Sequence, residues 1–142
     1  MKISAKTEYA CIAMLELAAR HGSGEPVRIR SIADEHGVPS RFLVQILLQL
    51  KGAGLVNSTR GAAGGYQLVK PPEEISLGEV MNVIEGPDEP IGSSASAESL
   101  SAKVLQSAWQ DVANVEREML HAITFADLVE RSHRQTENMY YI

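Results

Sequence analysis

The stretch that decides the fold is SIADEHGVPSRFLVQI, residues 31–46. Ala33 is small where two helices must cross closely, and Gly37, four residues on, can take the positive φ of a tight turn. Ile32, Val38, Leu43 and Ile46 fall at the positions that hold such a helix pair together. The spacing predicts a helix-turn-helix. On its second helix Ser40, Arg41, Val44, Gln45 and Leu48 remain outward. Arg and Gln can bond base edges in a major groove, and Ser can bond a phosphate or a base. An ordinary helical hairpin would also place Gly in its turn, so the reading depends on what flanks it.

On the N-terminal side, residues 5–20 are rich in Ala, Leu and Met and hold no Gly or Pro, which predicts a mostly buried helix stopped by His21-Gly22-Ser23-Gly24. A short extended stretch, Pro26-Val27-Arg28-Ile29, leads into a helix over residues 30–36. The next helix covers residues 40–52, with Leu43, Ile46, Leu47 and Leu50 as its core face and Pro39 favourable at its first position. Two strands, 54–59 and 66–69, flank the Gly-rich turn Arg60-Gly61-Ala62-Ala63-Gly64-Gly65 and predict a hairpin. A helix-turn-helix followed at once by such a hairpin is a winged helix. Arg60 at the tip can enter a minor groove, where the potential is most negative, and the glycines let the backbone approach DNA. A phosphate-binding P-loop does not fit, because Gly-Lys-Ser/Thr is missing and a strand follows the turn.

Further on, Ser76 and Glu79 have capping-box spacing at the start of a helix over 75–84. Residues 86–103 hold five serines, two prolines and two glycines and read as a flexible loop. A long helix over 104–121 carries the stripe Leu105, Ala108, Trp109, Val112, Val115, Met119 and Ile123. That stripe is longer than a small neighbour in the same chain could cover, and dimerisation through it is the expectation. Thr124 caps a short last helix over 125–131. A tail follows that is polar until Met139-Tyr140-Tyr141-Ile142.

The expected fold class is thus mostly α with a small β-hairpin. The expected division is a winged helix-turn-helix DNA-binding domain over 1–85, the loop over 86–103, and a dimerisation helix with a C-terminal segment over 104–142.

Composition sets outer bounds. The 142 residues are 44% hydrophobic and 22% charged, as in a globular chain, and no apolar run approaches a membrane span. The N-terminus has no apolar signal-peptide core, so a cytoplasmic protein is expected. The net charge of −5 hides an asymmetry: residues 1–70 carry nine Lys/Arg against five Asp/Glu, and residues 71–142 carry four against thirteen. A polyanion is expected to meet the first half only. The single cysteine, Cys11, excludes an internal disulfide and a four-cysteine metal site within the chain. In its Ala-, Ile- and Met-rich helix it reads as core. Glu118-x-x-His121 has di-iron spacing but occurs once and reads as a solvated helix face. Glu85, Asp88 and Glu89 read as a solvated loop, and His36 as a helix-boundary residue. No Ser/His/Asp or Cys/His constellation stands out, so no enzyme is expected.

Several motifs carry a resemblance to a family. Met1-Lys2-Ile3-Ser4, Tyr9-Ala10, Ala13-Met14-Leu15, Ile32-Ala33, Phe42-Leu43, Gln45, Gly54-Leu55-Val56, Ser58, Arg60-Gly61, Gly64-Gly65-Tyr66 and Leu77-Gly78-Glu79-Val80 are similar to the Rrf-two family of bacterial transcription regulators. The resemblance is dense over residues 1–86 and resumes at 105–130, with Trp109-Gln110-Asp111 and Ile123-Thr124-Phe125-Ala126-Asp127-Leu128. It implies a homodimer reading a pseudo-palindromic operator in double-stranded DNA, and repression is the expected action. The expected DNA contacts are Lys2, Ser4, Lys6, Ser40, Arg41, Val44, Gln45, Arg60, Gly61, Gly64, Gly65 and Tyr66. Leu105, Trp109, Val112, Val115 and Met119 are the implied dimer interface.

Many members of that family bind an iron–sulphur cluster through three cysteines in and just after the loop, sometimes with a histidine. Here that loop has no cysteine, and Val104 and Ser107 stand where the last cysteine and the histidine would fall. Thiolates hold such clusters, so no cofactor and no metal are expected. Glu8 matches a carboxylate ligand of some members but has no thiolate beside it. Val44 replaces a glutamate that helps some relatives choose among sites. Val cannot accept a bond from cytosine but can touch a thymine methyl. The inducing signal is then a small-molecule effector, a partner protein or Cys11 itself. The alternative function is an interaction protein of the same fold that binds a protein or metabolite through its acidic second half and does not depend on DNA.

Overall fold

The computed structural model describes residues 1–140, so the expected apolar end of the tail at Tyr141 and Ile142 lies outside the described residues. Six α-helices and one antiparallel hairpin follow the chain as α1 (Ala5–Ala19), α2 (Ile29–His36), α3 (Ser40–Gly52), β1 (Val56–Thr59), β2 (Gly65–Leu68), α4 (Leu77–Glu85), α5 (Leu100–Ala122) and α6 (Phe125–Tyr140). A 3₁₀ turn, Pro72–Glu74, precedes α4.

The core sits between α1, α2, α3 and α4. Met14, Leu17, Ile32, Leu43, Ile46, Leu47, Leu50, Ile75 and Val80 are buried in it. The helix α3 contributes the residues spaced three, one and three apart, as its periodicity requires. Truncating a fully buried leucine such as Leu47 to alanine would cost about 2–5 kcal/mol.

Local chemistry starts the helices where the sequence places the caps. The Ser4 hydroxyl accepts from Thr7 N–H at 3.1 Å, and the Ser76 hydroxyl accepts from Glu79 N–H at 3.1 Å. The Glu79 carboxylate pairs with Lys70 Nζ at 3.1 Å. Pro39 stands at the cap of α3, one position before the first helical residue, with ψ 127°.

Two helices run further than expected. The helix α5 begins at Leu100 instead of Val104, because the Ser99 hydroxyl accepts from Ala102 N–H at 3.2 Å and starts the helix one turn early. The irregular segment is correspondingly shorter. It is tied to α5 at Ile91, whose N–H donates to Gln110 Oε1 at 3.0 Å and whose carbonyl accepts from the Gln106 side chain. The helix α6 continues to Tyr140 instead of stopping at Arg131, since no Gly or Pro interrupts residues 125–140. Its start is a reciprocal box: Asp127 N–H donates to Thr124 Oγ1 and Thr124 N–H donates to the Asp127 carboxylate, both at 3.1 Å. The Thr124 N–H, with the Thr124 hydroxyl as a second contributor, holds the Asp127 carboxyl below the usual carboxylate range.

The start of α6 is stitched into the N-terminal core. Leu77 N–H donates to Ile123 C=O and Phe125 N–H donates to Ile75 C=O, both at 2.9 Å, and Phe125 is fully buried. The helix α5 packs on α4 with the His121 ring over Gly78, where a Cβ would come within 2.3 Å of the ring. His121 Nδ1 meets Arg117 C=O at 3.0 Å.

Candidate nucleic-acid interface

The turn between α2 and α3 uses Gly37 at φ 66° and ψ 33°, with Val38 N–H donating to Ala33 C=O at 3.1 Å. Ile32, Ala33, Val38, Leu43 and Ile46 are all buried around it. This leaves Ser40, Arg41, Val44, Gln45 and Leu48 exposed on α3. Arg41 does not wave free. Its guanidinium lies 5.1 Å from the centre of the Phe42 ring, and Phe42 in turn meets Tyr9 of α1 with ring centres 6.3 Å apart. An exposed cation–π contact of this kind contributes about 0.5–1 kcal/mol. Phe42 and Tyr9 were not among the expected contacts: Tyr9 lies 33 residues before Phe42, and no periodicity links the two.

The wing pairs Val56 with Leu68 and Thr59 with Gly65. It is anchored twice. Val27 and Tyr66 exchange both backbone hydrogen bonds, at 2.8 and 2.9 Å, so the 26–29 stretch lies along β2. Lys51 Nζ donates to Ser58 Oγ at 2.7 Å, tying the end of α3 to β1. Arg60 stands exposed at the tip beside Gly61, whose φ of +105° needs glycine.

The next two glycines serve the fold. A Cβ on Gly64 would lie 2.2 Å from Thr59 C=O, and one on Gly65 would lie 2.5 Å from Val27 C=O. Gly64 is buried and Tyr66 packs against the core, so these residues also shape the wing from within.

Lys2 and Lys6 are exposed at the N-terminal end of α1. Ser4 has an internal role in addition to its cap. Its hydroxyl and that of buried Thr7 both donate to the Glu85 carboxylate at the end of α4. The two hydroxyls, with Lys6 adding a smaller attraction, hold the Glu85 carboxyl below its usual range. Glu85 therefore belongs to a latch between α1 and α4, which a solvated-loop reading missed. His36 also has a partner, Glu16 Oε1 at 2.9 Å, joining the end of α2 to α1.

The stripe on α5 is outward. Leu105, Trp109, Val112, Val115 and Met119 are each half or more exposed, Val112 reaching 65%. Val112, Val115, Met119, Leu120 and Ile123 line an open apolar groove with Met1 at its side.

A profile of iron-dependent transcriptional regulators matches residues 3–131 of the chain. The chain belongs to the Rrf-two (Rrf2) family. It is 36% identical over 143 residues to the HTH-type transcriptional regulator CymR of Bacillus subtilis, covering all of both chains. The solved structure of CymR, the global cysteine regulator of B. subtilis, superposes with a TM-score of 0.80 at 35% identity, covering 92% of this chain and 98% of that one. The IscR structure of T. potens superposes with a TM-score of 0.76 at 35% identity, over 93% and 88% of the two chains. The protein is a winged-helix transcription regulator of a family that does not consist of enzymes, and the alternative of an interaction protein is not favoured.

The family's description as iron-dependent raises the question of a metal. The donor set for a thiolate-held cluster is missing. Cys11, the one thiol, lies half-buried in an apolar groove with Ile12, Leu15, Leu77 and Phe125, and burial pushes its pKa up to about 11. It is a neutral thiol at physiological pH, not a ligand-ready thiolate. The residues present do not fit an iron–sulphur cluster.

Proposed function

We propose that this Rrf2 regulator is a homodimeric, cytoplasmic repressor that clamps a pseudo-palindromic operator. The observation that carries the reading is the pair of outward faces. The face of α3 offers Arg41 and Gln45 beside an exposed Arg60 wing, and the α5 stripe has no partner within the described residues. Pairing two α5 stripes would generate a two-fold axis and repeat the recognition helix for a second half-site, about 34 Å or one duplex turn away. Arg41 and Gln45 would then meet base edges. Ser40, Lys2 and Lys6 would meet phosphates, and Arg60 would border the minor groove. A dimer seated on a promoter blocks polymerase, which is the simplest route to repression.

Selection of bound fragments from the source genome tests this. The expected result is a two-fold symmetric consensus bound by a dimer, with repression of a reporter placed behind it. Sequence-indifferent binding, or a monomer by light scattering at micromolar concentration, would overturn it. The signal does not pass through a cluster in this reading, so anaerobically purified protein should be colourless and its DNA binding indifferent to chelators. Stoichiometric iron and sulphide with a visible band would restore the cluster.

A further inference from the structure

The outward face of α3 is not the polar face a solvated helix ordinarily carries. Val44 is 42% exposed and Leu48, one turn on, is 56% exposed. Neither packs against the core. Arg41 and Gln45 complete the same face at positions i, i+3, i+4 and i+7, a strip about 10 Å long that spans about three base-pair steps. The helix holds Arg41 and Lys51 and no Asp or Glu, and the first 70 residues carry nine cations against five anions. An apolar ridge between a braced cation and an amide, with no acid beside it, suits the major groove of a polyanion.

The groove offers one aliphatic group, the C5 methyl of thymine. Gln is the residue that bonds adenine N6 and N7, and each adenine brings a paired thymine with it. Val44 and Gln45, adjacent in sequence, can therefore divide one A·T pair or two neighbouring ones between them. Cytosine in the same place would leave its amino group facing Val44 without an acceptor.

Resting on the operator-binding reading above, we propose that Val44 and Leu48 are specificity-determining residues that read thymine through its methyl group. Each half-site then carries A·T pairs under the Val44–Leu48 ridge, next to a guanine under Arg41.

The test uses the full chain and a duplex selected from a random pool. Each thymine of the half-site is replaced singly by deoxyuridine, which removes only the methyl. Affinity should fall about fourfold for each methyl under the ridge, the effect of one buried carbon group. Val44→Ala should unfold at the wild-type temperature, since Val44 supports no core contact, and should distinguish thymine from uracil more weakly at its position, because the shorter alanine covers less of the methyl. Leu48→Ala should do the same one turn further on. If wild type selects a sequence but is indifferent to uracil throughout the half-site, this inference fails and the operator reading stands. If no sequence is selected, both fail.

Discussion

Two exposed helix faces of this chain look alike by burial and differ in chemistry. The α3 face mixes Val44 and Leu48 with Arg41 and Gln45 and carries no acid. The α5 face is a run of Leu105, Trp109, Val112, Val115 and Met119, with Asp111 and Glu116 along its groove, in the half of the chain where thirteen acids meet four bases. Exposure alone does not say what covers a face; the charges beside it do. On the reading proposed above, a polyanion would be drawn to the first face and repelled from the second, where a second apolar surface would be the matching partner.

The sharpest way to break this contrast is Val112→Asp. If the stripe is buried in a dimer, an unpaired charge there costs several kcal/mol and should give monomers by light scattering. Operator affinity should fall steeply, because each half-site would be bound singly. A dimer that survives the substitution would move the interface elsewhere.

Next in size is Arg41→Ala on the other face. It should cost about 1–3 kcal/mol of operator affinity and relax the choice of base at one position per half-site, read by selection from a random pool. Its oligomeric state should not change, which separates the two faces cleanly.

Arg60→Ala should act more mildly and without sequence preference. The slope of log affinity against log salt should flatten by about one unit if Arg60 neutralises one phosphate. Equal affinity of the two proteins at every salt concentration would remove the wing from the interface.

The smallest effect belongs to the latch between the regions. Glu85→Gln keeps the shape but removes the charge that Ser4 and Thr7 hold. The folded-state carboxyl is held below its usual range, so its stabilisation is complete above that range and is lost as pH falls through the lowered value. Wild type should therefore melt slightly above the variant at neutral pH, and the gap should close on acidification below the ordinary carboxylate range. A gap that widens in acid would reverse the sign and discard the latch.

How much was legible beforehand depended on the distance over which each feature is decided. Gly37, Ser76 and Thr124 act on residues within four positions, so their turn and caps could be read directly. The inward and outward faces of α3 and α5 follow from a helical period, again a local property. Where local signals were weak the boundaries slipped. Ser99 was one serine among several in its segment, and the polar sequence after Arg131 held no stop signal that would have ended α6 there.

Other features were decided only when remote segments met. Glu85 lies 81 residues from Ser4 and 78 from Thr7. Arg41 lies over Phe42, whose ring meets Tyr9 of α1, and the His121 ring from α5 packs directly on Gly78. Gly64 and Gly65 leave no room for a Cβ because the backbones of Thr59 and Val27 lie against them. The sequence by itself thus determined the helix-turn-helix, the wing and the two outward faces, because periodicity and capping are short-range physics. Only the tertiary structure decided which glycines and carboxylates serve the fold and which side chains stay free for a partner, because those roles depend on what the rest of the chain brings within a few ångströms.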